Sequence, residues 1–143
     1  MSDTPSIPLK GYRKKPRAIT AIALAFALLP LVIPAQVLIF SGGSWPLAWQ
    51  VVCSGYFLQE VLLSWSAAIA VCVVSRWSFV YFILLSVYVL TTRVAYLAQH
   101  PHLDHPVSVC ITVFWFLVVA HLLGSPLKTL YLNPRARGWT RRS

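Results

Sequence analysis

The 23 residues from Ala18 to Phe40 carry no charged side chain. As an α-helix rising 1.5 Å per residue, such a run reaches roughly 34 Å, more than the ~30 Å hydrocarbon core of a bilayer. Inside lipid every backbone N–H and C=O needs an internal partner, so a stretch of this kind is confined to a helix. Three further apolar stretches follow, from near Trp49 to Ser75, from Trp77 to about Ala98 and from Val107 to about Leu123. The sequence therefore predicts an all-α fold, an integral membrane four-helix bundle with N and C termini cytoplasmic. Helices are expected over about 18–40, 49–75, 77–98 and 107–123. They form a membrane domain over 18–132 between basic tails at 1–17 and 133–143. The first run follows a basic segment, as the apolar part of a secretory signal does. It is far longer than the usual 7–15 residues, and Ile33-Pro34-Ala35 makes a poor cleavage site, so a retained helix is expected.

Charge patterning sets the expected orientation. The net charge is +9, and only 10% of residues are charged, against about 25% in soluble domains. The bases gather at the ends. Lys10, Arg13, Lys14, Lys15 and Arg17 precede the first run, and Lys128, Arg135, Arg137, Arg141 and Arg142 follow the last. The connections at Ser41–Ser44 and Gln99–Pro106 hold no Lys or Arg, whereas the tight one at Ser75-Arg76-Trp77 holds Arg76. The positive-inside rule then places both tails and Arg76 in the cytoplasm, with anionic lipid headgroups rather than nucleic acid as their partners. Trp45 and Trp49 suit an outer aromatic belt, and Trp77 and Tyr131 an inner one. The fourth run is expected to continue past Gly124 and Pro126, laying Leu127, Leu130, Tyr131 and Leu132 along the inner interface until Pro134 ends it.

Glu60 and Arg93 are ionisable groups inside predicted spans, where an unpaired charge costs about 2.5–3.5 kcal/mol on insertion scales. Glu60 precedes Arg76 by sixteen residues and Arg93 follows it by seventeen. In a hairpin turning at Arg76 the two lie level, in the outer half of the membrane. The pair then pins the hairpin's register, serves as an ion site in which Glu60 titrates or binds a cation, or is made with another subunit. Gln59, Thr91 and Thr92 nearby, with Gln36 from the first helix, suggest a polar pocket hydrogen-bonded across helices.

Pro30 and Pro34 predict a kink in the first helix. The alanines at 21, 23, 25 and 27 and the Ser64/Ala68 and Ser66/Ala70 spacings predict close helix approach, within the chain or between copies. Cys53, Cys72 and Cys110 are dispersed and odd in number, which argues against a disulfide framework. His100, His102, Asp104 and His105 in the outer connection are candidate zinc or copper ligands, although their spacing fits no defined motif. His121 has no second histidine in a span with which to hold a haem. With no HExxH, catalytic triad or phosphate loop, no enzyme, catalytic residue or cofactor is expected.

The segment Pro126-Leu127-Lys128-Thr129-Leu130-Tyr131-Leu132-Asn133-Pro134-Arg135-Ala136-Arg137-Gly138-Trp139 resembles the exit from the last membrane helix in bacterial PilZ-domain membrane proteins. There a Tyr-x-(Asn or Asp)-Pro-Arg-x-Arg-Trp-Trp stretch leads into the cytoplasmic domain, and here Gly138 replaces the first Trp. Arg137-x-x-x-Arg141 and Arg13-x-x-x-Arg17 have the RxxxR form of the cyclic di-GMP motif, but a DxSxxG element is absent. The resemblance implies the membrane-anchor region of such a protein and a bacterial inner membrane, not nucleotide binding. The expected function is a non-catalytic inner-membrane subunit, anchor or scaffold, with a membrane-protein partner or a second copy. The alternative is a small proton- or ion-coupled transporter or channel working through Glu60 and Arg93.

Overall fold

A computed structural model describes residues 16–99 and 106–136 of the 143-residue chain, and these are helical almost throughout. Helix α1 (Arg17–Leu28) passes through a 3₁₀ turn at Leu29–Leu31 into α2 (Val32–Phe40). A turn leads to the short α3 (Trp45–Val52), then come α4 (Gly55–Cys72), α5 (Arg76–Gln99), α6 (Pro106–Gly124) and the short α7 (Lys128–Leu132).

The prolines are absorbed where they cost least. Pro30 opens the 3₁₀ turn and Pro34 lies in the first turn of α2, positions whose backbone N–H has no intrahelical partner to lose. Close to the change of register, the Trp65 indole N–H donates to the Ala27 carbonyl at 3.2 Å, tying α1 to α4. Gly42 and Gly43 have φ of 66° and 91°, which lets the chain reverse between α2 and α3.

Each long helical segment buries one stripe with alternating steps of three and four residues. The stripes are Ile19, Ala23, Phe26, Pro30 and Ile33 on α1–α2, and Glu60, Ser64, Ala67 and Val71 on α4. On α5 Phe79, Phe82, Ser86 and Val89 are buried, and on α6 Ile111, Trp115, Val118 and Leu122. This is the spacing of antiparallel bundle seams. Small residues line the α1–α4 seam, where Ala23, Ser64, Ala67 and Ala70 are all buried. In the middle Phe26 meets Phe82, Phe114 and Trp115 edge-on, with ring centroids 5.8, 5.2 and 4.7 Å apart. Ala67 has no exposed surface, so Ala67→Leu should overpack the seam and cost about 1–3 kcal/mol. Ile69→Leu on the exposed face should leave unfolding in detergent unchanged, which a paired thermal melt checks.

The distribution of polarity is the reverse of that in a water-soluble bundle. Glu60, Ser64 and Ser86 are buried, whereas Leu24, Leu31, Ile39, Leu62, Ile69, Leu84, Phe116 and Leu117 stand exposed on the outside. A continuous apolar exterior of this extent needs an apolar solvent. Three segments, Arg17–Phe40, Gly55–Cys72 and Arg76–Gln99, are long and apolar enough to cross a membrane, and the apolar stretch Ser108–Gly124 is shorter. Among the described residues there are thus three spans by length where four are expected.

Two expected elements also differ. The stretch 49–75 is not one helix. It breaks at Cys53-Ser54, where the Ser54 hydroxyl accepts from the Phe57 N–H at 3.2 Å and starts α4 anew. What precedes the break is α3, with Trp45 and Trp49 largely exposed and only Ala48 buried. At the other end, the expected continuation of the fourth helix stops at Gly124. Helix α7 turns back against the bundle, burying Leu127, Leu130 and Tyr131 and leaving Leu132 exposed. Tyr131 is therefore a core residue, not part of an inner aromatic belt, while Trp77 stays exposed as expected. The Tyr131 hydroxyl donates to the Val71 carbonyl at 2.7 Å, in the last turn of α4, where carbonyls lack intrahelical donors. Burial pushes the Tyr131 phenol up, so it remains a donor at neutral pH. The α4–α5 turn is closed by Ser75 and Ser78, whose hydroxyls each accept from the other's backbone N–H at 3.0 Å.

Candidate functional site

Glu60 and Arg93 meet. The Arg93 guanidinium donates to the Glu60 carboxylate as a salt bridge, and each side chain is only 10% exposed. The register follows from the short Ser75–Ser78 turn, which holds the two helices antiparallel with little slack. Glu60 heads the buried stripe of α4, and Arg93 continues that of α5 one step beyond Val89. The same rows that make the core therefore aim the two charges at each other.

The pair forms one wall of a cavity of about 330 Å³ between α2, α4, α5 and α6. Gln36, Gln59 and Thr92 line it, as expected from the sequence, whereas Thr91 is exposed and stays outside it. The expected hydrogen bonding across helices does not extend to Thr92. Its hydroxyl donates back to the Tyr88 and Val89 carbonyls of its own helix, at 2.9 and 3.0 Å, a common resolution for a hydroxyl in an apolar helix. The small-residue spacings are refined likewise. Ser64 and Ala70 are buried at the seam, while Ala68 and Ser66 are only partly buried and Ser66 bonds back to the Leu63 carbonyl.

Three lining residues are absent from the sequence-derived set: Tyr56, Tyr96 and Ser108. Tyr56 lies beside both Glu60 and Arg93, close enough to interact electrostatically with each. Tyr56 lies four residues before Glu60 and Tyr96 three after Arg93, the spacings that put side chains on one helix face. That signal was present but looks like any tyrosine in an apolar run. Ser108 is supplied by α6 and has no sequence relation to the pair. Ile33, Leu63, Val89, Leu97 and Ile111 supply the apolar part of the lining.

The arrangement combines polar and apolar side chains from four helical segments, opens to the outside beside Tyr56, Gln59, Thr92 and Tyr96, and is neutral overall. Glu60 is the only Asp or Glu among the described residues, and Arg93 is the only Lys or Arg among them outside one end of the bundle. Arg17, Arg76, Lys128 and Arg135 all fall at that end, where α1 and α5 begin and α4 finishes, far from the cavity. The candidate metal ligands His100, His102, Asp104 and His105 lie outside the described residues. Among the described residues no three metal-binding side chains cluster. His121 is exposed on α6, away from the cavity, and none of the three cysteines is in a disulfide. No protein-family model matches this chain, and no curated protein or solved structure matches it.

Proposed function

We propose that this chain is a small multi-pass membrane transporter or channel component that carries a proton or small solute through the Glu60–Arg93 cavity. The observation that carries this reading is the position of the ion pair. It faces a cavity with six further polar side chains rather than a dry seam. A pair that served only to fix register would need no such space, because buried charges are better neutralised by close packing. Ionisable groups in membrane helices that face a cavity mark ion and solute pathways as a rule.

In this reading α6 crosses the membrane as a fourth span beside α5, since it buries a full stripe, packs on α5 and on Phe26 of α1, and has an apolar outer face. The four bases at one end of the bundle favour that end as cytoplasmic, with both tails there and anionic lipid around them. The cavity then lies in the outer half. Helix α3 lies along the outer interface through Trp45 and Trp49. The likeness of Pro126–Trp139 to the PilZ-protein exit supports a bacterial inner membrane.

Glu60→Gln tests the function. Glutamine keeps a carbonyl oxygen for Arg93 and so leaves the fold, but it cannot exchange a proton. In proteoliposomes holding a pH-sensitive dye, with small charged and neutral solutes supplied outside in turn, wild type should carry protons with at least one solute and Glu60→Gln should carry at least about tenfold fewer. Equal flux in the two, or none in either, sinks the reading. No flux together with loss of folded protein in Glu60→Gln points instead to a scaffold held together by the pair.

A further inference from the structure

The electrical neutrality of the cavity restricts what can enter it. We propose that its solute is a small monocarboxylic acid with a short apolar body, bound as the anion on Arg93 while Glu60 takes up one proton. This rests on the reading of the cavity as a solute site. The Glu60 and Arg93 side chains are each 10% exposed and in contact. An anion entering alone would set a second negative charge beside Glu60 and compete for its only cation. A cation entering alone would strand Arg93. With both side chains this deeply buried, either uncompensated charge is strongly disfavoured.

A carboxylic acid avoids both. A proton passes to a Glu60 carboxylate oxygen, the Glu60–Arg93 ion contact breaks, and the guanidinium closes on the incoming carboxylate. The proton and the anion are the two halves of the acid, so the site holds the same net charge before and after. Arginine suits this exchange, since its planar fork of N–H donors matches a carboxylate at two points. Glu60 engages a single guanidinium nitrogen of Arg93, so donors remain for a second carboxylate. Once protonated, Glu60 can donate to the bound anion or to Tyr56.

The groups around Glu60 that titrate or carry charge are Tyr56 on α4 and Arg93 and Tyr96 on α5. Helices α2 and α6 present Gln36 and Ser108, which do neither. Among the described residues, no other group is therefore placed to take the proton at neutral pH. The apolar body of the acid has Ile33, Leu63, Val89 and Ile111 to lie against. A volume of about 330 Å³ is at the small end of ligand sites, enough for a ring or short chain and too little for a two-chain lipid.

The test uses the full chain in detergent with sodium benzoate as the probe, titrated calorimetrically in buffers of different ionisation enthalpy. Wild type should take up about one proton per benzoate, and its affinity should fall about tenfold per pH unit above neutrality. Glu60→Gln should bind benzoate with no proton uptake and no pH dependence, and Arg93→Gln should not bind it. Absence of binding to wild type, binding without proton uptake, or tighter binding of zwitterionic leucine than of benzoate overturns the inference. The wild-type measurement alone decides if either variant fails to fold. Proton flux in proteoliposomes without benzoate binding overturns the acid as solute and leaves transport standing. Proton-coupled benzoate binding without any flux does the opposite.

Discussion

Arg93→Leu is expected to destabilise the folded chain by about 3–5 kcal/mol, because it leaves Glu60 buried with no cation to answer it. Tyr56 can still donate one hydrogen bond, but a hydroxyl cannot neutralise a carboxylate. Denaturant or thermal unfolding in a mild detergent should register the loss, along with a lower yield of monodisperse protein. The double variant Glu60→Arg with Arg93→Glu should recover most of it, since the side chains lie level and each sits at the end of a buried stripe. A swap that restores nothing would mean that the two positions do not interact directly. Glu60→Gln should be far milder than Arg93→Leu. Its amide oxygen still accepts from Arg93, whose long stem can carry its charge toward the outer interface.

The second large effect is expected at Tyr131. The residue is 1% exposed, its ring lies 5.4 Å from that of Phe79, and its hydroxyl meets the Val71 carbonyl. Tyr131→Ala removes a buried aromatic and should cost about 3–5 kcal/mol. Tyr131→Phe keeps the ring and loses only the donor, leaving a carbonyl at the end of α4 unsatisfied, for about 1–3 kcal/mol. Protease accessibility of α7 in detergent should rise steeply for Tyr131→Ala and slightly for Tyr131→Phe. Equal, small effects would show that α7 rests loosely on the bundle. Helix α7 packs on the ends of α4, α5 and α6, so its release should also loosen the turn that sets the level of Glu60 against Arg93. A Tyr131→Ala protein that stays folded should therefore show weakened benzoate binding at a site many residues distant.

The pairing of Glu60 with Arg93 was legible because it depends on distance along the chain alone. Two helices joined by a minimal turn have one plausible register, and two opposite charges level with each other in lipid leave one plausible partner. Gln36, Gln59 and Thr92 were legible as polar groups at similar depth, but depth does not say which way a residue faces. Thr91 and Thr92 differ by one position, and only the rotation of α5 puts one on the cavity and the other outside it. The break at Ser54 was less visible. Ser-Gly inside an apolar run can be read as a small-residue packing face or as a helix start, and the choice is made when α3 folds away from the axis of α4.

Hydropathy and charge thus determined, unaided, that this chain is helical, built for an apolar solvent, basic at its ends, and neutralised by an ion pair within the central hairpin. These depend on residue type and spacing, which are one-dimensional properties. Which face of each helix is buried came from the tertiary structure alone. When lipid surrounds a bundle, its inner and outer faces are both apolar, so no contrast in hydropathy marks the seam. Small residues, aromatic interlocking and the few polar groups decide it together. Tyr131 is the clearest case: at the level of sequence it is an interfacial tyrosine like any other. The uncapped carbonyl of Val71, sixty residues away, draws it into the core.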